Sequence, residues 1–348
     1  MRASGIIKIV IGVILVVVLT ACLLGLMLGH FVWRGLGVGS YVRNIVQSEV
    51  LDRSMHRWED YESGTVVTEN ASYPAVGIDQ IEIGWIRGSV VVSSCKGDEI
   101  LVSESSYGVL SEAQKMRVSN RDGKLKVMFC DDFRNTWRLF GLGSIRLPSK
   151  TLHVEIPESM INSFKDVVIE TVSADVRMDP LSSEKTRVSS VSGDIHVVGL
   201  DSNRATVSTT SGRVSTEDCH GVYLSVSTVS GEVRVNASEY EDLNIETVSG
   251  GISTEGNFER IWAKSVSAST QIVCSNVPKE ITSESISGSI NVYLPDSADF
   301  TAHLSTVSGR LSSEIPGIME KNYFTCGSGS NRYRFETVSG SVSIRIRN

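Results

Sequence analysis

Serine is the residue with the most chemical promise by number. The sequence holds 52 Ser, 34 of them between residues 173 and 348, and many stand in a Val-Ser-Gly setting that invites comparison with an activated nucleophile. A catalytic serine, however, is a single residue beside a general base, presented on a G-x-S-x-G turn. No G-x-S-x-G occurs. The same Ser returns at Ser173, Ser192, Ser211, Ser230, Ser249, Ser267, Ser287, Ser308 and Ser339. A hydroxyl repeated in this way is a building element, not a reactive group.

The remaining chemistry-bearing types are dispersed. The six His are His30, His56, His153, His196, His220 and His303, with no two at ligand spacing. Beyond Cys22 there are Cys95, Cys130, Cys219, Cys274 and Cys326, an odd number without a CxxC, which argues against both a disulfide framework and zinc. Such cysteines read as small buried hydrophobes. The acid pairs Asp131-Asp132 and Glu217-Asp218 lack the G-G-x-G-x-D setting of a calcium-binding repeat and read as solvated turns. Gly327-Ser328-Gly329 lacks the Lys that would make it a phosphate loop. No catalytic, cofactor-binding or metal-ligating residue is assigned, and no cofactor is expected.

The elements that carry these residues are clearer. Of 348 residues, 41% are apolar and 21% charged, which suits a folded chain. The Ser excess disfavours helices, because the hydroxyl competes for backbone partners. A net charge of −7 gives no basic footprint for nucleic acid.

Residues 9–33, IVIGVILVVVLTACLLGLMLGHFVW, are long and apolar enough to span a bilayer, with Arg2 and Lys8 before them and Trp33 and Arg34 at the far interface. An uncleaved membrane anchor over 1–34 is the expectation, with the lipid bilayer as partner. Leu19-Thr20-Ala21-Cys22 also has the form of a lipobox, and a cleaved secretory signal is a third reading. The flanking positive charges nearly balance, so orientation rests on the short polar head and the Ser/Thr-rich remainder, which suit a C-terminal domain outside the cytoplasm. In residues 35–64, Tyr41, Val42, Ile45, Val46, Val50, Leu51, Met55 and Trp58 fall on one helical face, which predicts a stalk helix.

From residue 65 the period becomes two, and 65–164 reads as an irregular β region. Within it, 131–147 (Phe133, Trp137, Leu139, Phe140, Leu142) reads as a cap over one end of the core. Over 165–348 the shared serines are spaced 19, 19, 19, 19, 18, 20, 21 and 31 residues apart. Three and five residues beyond each Ser stand Val/Ile/Leu/Met columns such as Ile195 with Val197 and Val233 with Val235. Leu224 with Val226 and Leu243 with Ile245 mark a second strand per unit. Two short strands and two turns per unit predict an all-β fold, a right-handed β-solenoid of ~19-residue coils. The Gly after most of these serines is read as serving an unusual backbone angle at a corner. The 31-residue step is read as a hairpin or loop shielding the last coil.

The β-rich first part, the strand Leu152-His153-Val154-Glu155-Ile156-Pro157 and the tandem T-V-S-G-x-I-x-V units resemble the bacterial putative-adhesin family of β-repeat domains, over roughly residues 75–347. Ala174 and Ala268, which replace the corner Gly, depart from its pattern, as do the five Cys. The resemblance implies a β-helical domain on a membrane-anchored envelope protein and supplies no ligand residues. The expected function is therefore a non-enzymatic envelope protein whose solenoid binds another envelope protein or cell-wall glycan. A polysaccharide-active β-helix enzyme and a cytoplasmic bactofilin-like scaffold are the alternatives.

Overall fold

Alternating apolar side chains with hydroxyls and charges between them dictate strands that bury one face. The computed structural model describes residues 66–130, 147–161 and 164–347. The anticipated membrane segment 9–33, the stalk helix within 35–64 and the aromatic cap, apart from Leu147, lie outside the described residues. Among the described residues no helix is long and apolar enough to cross a membrane; a single 3-10 turn, Glu158–Met160, is present.

The first strands are β1 (Val66–Thr68), β2 (Asn70–Pro74), β3 (Gln80–Cys95), β4 (Glu99–Ser106), β5 (Met116–Arg121), β6 (Lys124–Met128) and β7 (Lys150–Pro157). The repeats then give β8 (Phe164–Met178), β9 (Leu181–Ser190), β10 (Ile195–Val198), β11 (Leu200–Thr209), β12 (Val214–Glu217), β13 (His220–Thr228) and β14 (Val233–Thr247). They continue with β15 (Ile252–Lys264), β16 (Thr270–Cys274), β17 (Glu280–Ser285) and β18 (Ile290–Leu294).

Every pairing among β8 to β18 is parallel and joins one coil to the next, as in a β-solenoid. Ile195 aligns with Val176 on one side and Val214 on the other, and Val214 with Val233, so the sequence columns become physical ladders. On the second face Val188, Val207, Val226 and Ile245 stack in register. All of these are buried in one continuous apolar core. The 18-residue step is absorbed by a register shift between Val235 and Ser238, beside Ala237 in the left-handed region at φ 46°.

The parallel stack reaches back beyond residue 165. β3 pairs in parallel with β8 along most of its length, and β6 and β7 pair in parallel with its two halves on the opposite edge. The spatial order is β6/β7, β3, β8, although β3 comes first in the chain. Outside them lie the antiparallel partners, β5 on β6 and β4 on β7, followed by β1 on β5 and β2 on β4.

The other end makes the same exchange. The final strands are β19 (Phe300–Thr306), β20 (Leu311–Ser313), β21 (Ile318–Glu320), β22 (Tyr323–Cys326), β23 (Asn331–Thr337) and β24 (Val342–Ile346). β23 lies between β17 and β19, and β24 between β18 and β20. The last repeat is thus inserted between the two before it, and the eighth repeat forms the end of the stack. The 31-residue step supplies the hairpin β21–β22, whose β22 pairs antiparallel with β19 and covers that open ladder. Antiparallel strands therefore cap both ends, which blocks indefinite parallel addition of a second molecule.

Candidate functional site

The corner that holds the repeated serine is an internal fastening. Its exposed Oγ donates to a carbonyl of the coil below: Ser192 to Val172 at 3.3 Å, Ser211 to Val191 at 3.4 Å and Ser173 to Ile86 at 3.1 Å. Ser339 donates to Ile286 and Ser308 to Val338, which follows the exchanged order at the C-terminal end. Two residues earlier a buried Ser or Thr faces inward. Thr209 Oγ1 donates to Gly193 O and accepts from Gly212 N, both at 3.2 Å; Thr228 repeats this one coil on with Gly212 and Gly231.

The glycine beside the serine serves a different purpose from the one its sequence suggests. Gly193, Gly212, Gly231, Gly250 and Gly288 do not have positive φ. A Cβ at each would fall well inside 3.0 Å of the carbonyl oxygen of the corner below. Close coil-to-coil approach, not an unusual angle, excludes a side chain there.

The deepest polar group lies under the N-terminal cap. Lys150 and Glu104 are both buried, with Nζ 2.6 Å from Glu104 Oε2. Nζ also donates to Gln114 O at 2.7 Å and Phe129 O at 2.5 Å, and Met116 N donates to Glu104 Oε1 at 2.7 Å. Phe129 and Trp85, in edge contact with each other, hold their rings 4.0 and 4.9 Å from the ammonium, and Trp85 Nε1 donates to Lys150 O. Burial pushes the Glu104 carboxyl above its ordinary range and the Lys150 ammonium below its own, each partly offset by the other. Nζ is held by two backbone carbonyls and lies against the carboxylate, so the pair fastens β4 to β7, while Glu104 Oε2 has no hydrogen bond beyond that ion pair.

The Gly327-Ser328-Gly329 run does cradle an anion, but one supplied by the chain. Gly327 and Gly329 have φ of 63° and 75°, and the turn directs Gly329 N, Ser330 N and Ser328 Oγ at the Asp299 carboxylate. The hydrogen bond from Ser328 leads the contacts that hold that carboxyl below its ordinary range.

The outer surface carries charge ladders. Asp175 and Asp194 accept from the backbone N of Asp194 and Arg213 in the next coil, at 2.9 and 2.7 Å. Lys264 lies 3.3 Å from Glu284, Arg213 3.3 Å from Glu232 and Lys279 2.7 Å from Glu259, while Arg260 Nε donates to Asp242. Opposite charges on successive coils are the general pattern.

The structure keeps the dispersed residues apart. His153, His196, His220 and His303 stand on different strands; His303 stacks on Tyr323, and His220 is 4.0 Å from Asp218. Among the described residues no group of three His, Cys, Asp or Glu side chains could hold a metal ion. Asp131-Asp132, His30, His56 and Cys22 lie outside them. The five later Cys are free thiols; burial pushes Cys219 up to about 11 and Cys274 up to about 12. Sequence reasoning passed over Lys150 and Glu104, because two isolated charges 46 residues apart form no motif.

The model of the family described as Toastrack DUF4097 matches residues 78–345. The chain belongs to that family. The Toastrack match begins just ahead of β3, so it takes in both the N-terminal coils and the repeats. No curated protein matches the chain. Among solved structures, a putative lipid binding protein from Parabacteroides distasonis is 11% identical with TM-score 0.44, the match covering 82% of this chain and 98% of that one. A putative adhesin from Bacteroides fragilis is 11% identical over the same shares, with TM-score 0.36. A putative cell adhesion protein from Clostridium sporogenes is 11% identical, covering 80% of this chain and 98% of that one, with TM-score 0.24.

Proposed function

We propose that the chain is an envelope protein anchored by residues 9–33, and that its right-handed β-solenoid stands outside the cytoplasm and binds a partner without catalysis. The partner is cell-wall glycan or another envelope protein. The anchor rests on the 25-residue apolar run between basic residues and an interfacial Trp. The winding rests on the strong right-handed bias of crossovers between parallel strands.

The observation that carries the reading is how the repeated hydroxyls are used. In the units of Ser173, Ser192, Ser211, Ser249, Ser308 and Ser339 both serine-type positions are committed to a neighbouring coil or to their own corner. What varies from coil to coil is the outward charge, as at Asp194, Arg213 and Glu232, and a varied outer face on a regular scaffold suits recognition. An enzyme of the polysaccharide-active kind needs two acids or a basic cluster converging on a groove. The buried Lys150–Glu104 pair is instead one acid and one base facing inward, with Nζ held by two backbone carbonyls.

The test is capture from fractionated envelopes by the full chain in detergent, against a copy whose outward charges are scrambled. Selective enrichment of wall material or of a defined envelope protein supports the reading. Equal recovery on both copies overturns it.

A further inference from the structure

Resting on the reading above, we propose that one face of the solenoid binds a linear anionic glycan through Lys185, Arg204 and Tyr223, which stack in register on three successive coils. Lys185 of β9 aligns with Arg204 of β11, and Arg204 with Tyr223 of β13.

Cations directly opposed on neighbouring strands destabilise a sheet. Throughout the parallel ladders of the described residues, Lys185 and Arg204 are the only Lys/Arg pair so placed, while Asp242–Arg260 and Glu246–Lys264 follow the opposite-charge rule. Both side chains are exposed, and no carboxylate within ion-pair distance of either is found among the described residues. The two stacked acids at the corner, Asp175 and Asp194, are each relieved by a backbone amide. Lys185 lies in register with Asp166 of the preceding coil without forming an ion pair, and Arg204 stacks on Tyr223, so no carboxylate of the described residues closes on either cation. An anionic ligand would supply that countercharge.

The surroundings choose the kind of anion. Two residues along the strands, Arg187, Thr206 and Ser225 stand in register, so a third basic side chain and then two hydroxyls lie beside the row at the same rise of about 4.8 Å per coil. The Arg204 guanidinium lies 4.7 Å from the Tyr223 ring centroid, which fixes one cation over an aromatic at the end of the row. Repeating anionic groups meet the cations, and ring hydroxyls meet Thr206 and Ser225. This is the chemistry of a carboxylated polysaccharide laid along the ladder.

The experiment uses the full chain in detergent and measures retention on immobilised polygalacturonate, with dextran as the neutral polymer. Lys185→Gln/Arg204→Gln is compared with Arg332→Gln/Arg334→Gln, which removes the same charge from a distant coil. All are first shown to melt as the wild type does. The expected result is salt-sensitive retention of the wild type on polygalacturonate and not on dextran. The Lys185/Arg204 variant should lose it by about tenfold or more, and the Arg332/Arg334 variant should keep it. Equal retention on dextran, or equal loss in both variants, overturns the proposal. Wall material captured equally by wild type and the Lys185/Arg204 variant overturns this site while the envelope-binding reading stands. Failure of the wild type to capture any envelope component overturns that reading itself.

Discussion

Gly231→Ala tests the packing of the corners most sharply, because the next coil contains its control. The methyl group would enter the space of the Gly212 carbonyl oxygen, well inside 3.0 Å. At Gly251, twenty residues further on, a Cβ meets nothing within 4 Å. To admit the first methyl the corner has to open by on the order of 1 Å, which a close-packed stack resists. That movement loosens the bonds from Gly231 N to Thr228 Oγ1 at 3.1 Å, from Thr228 Oγ1 to Gly212 O at 3.4 Å and from Val214 N to Glu232 O at 2.9 Å. At about 1 kcal/mol each, with about 1–3 kcal/mol for overpacking, the cost is about 4–6 kcal/mol. At about 2 °C per kcal/mol for a chain of this size, the melting midpoint should fall by roughly 8–12 °C. Gly251→Ala should leave it within about 1 °C. Thermal unfolding followed by circular dichroism reads both. Matching midpoints for the two variants would refute the close-approach account of the repeated glycine.

Ile195→Asp should abolish the cooperative melt, since it buries an unpaired carboxylate between Val176 and Val214 at a cost of several kcal/mol. Lys150→Met should cost about 3–5 kcal/mol in urea unfolding by stranding Glu104, and Lys150→Met/Glu104→Leu should recover most of it. Tyr240 has a buried hydroxyl without a hydrogen-bond partner, so Tyr240→Phe should leave the urea midpoint unchanged or raise it. The Asp299 carboxyl sits below its unfolded value, so its stabilisation of the C-terminal turn is complete above that unfolded value and lost as pH falls through the lower, folded one. Acid titration of the wild type should therefore show a loss of stability that Asp299→Asn lacks.

The architecture was largely legible because one coil is a short local pattern repeated. The Val/Ile columns at Ile195, Val214 and Val233 and the hairpin after Leu311 stand where their spacing put them. The order of the end coils was not legible. β24 carries the same Val-x-Ile as its neighbours, so a linear scan places it last, whereas the hairpin β21–β22 carries the chain back and lets it enter between β18 and β20. β3 was equally hidden, because its coil lacks the repeat motif and its partner β8 lies some 70 residues away in the chain. The corner glycines were recognised as special for the wrong reason, since close approach and positive φ leave the same trace in a sequence. Ala174 and Ala268 fit the steric account: Ala174 opposes Gly88, at φ 109°, and Ala268 belongs to the coil shortened by the register shift. Of the polar sites, the hydroxyl ladder was visible as a composition, and the Lys150–Glu104 pair was not, because its partners meet only through the fold.

The central claim, a binding solenoid displayed outside the cytoplasm, is tested most directly by cleavage in intact cells. Lys321 and Asn322 form the exposed turn of the β21–β22 hairpin, so a specific protease sequence inserted between them is accessible without disturbing the core. Protease added to intact cells should cut the chain at that turn while a cytoplasmic control protein stays whole. Cleavage that appears only after lysis would place the solenoid inside and contradict the account.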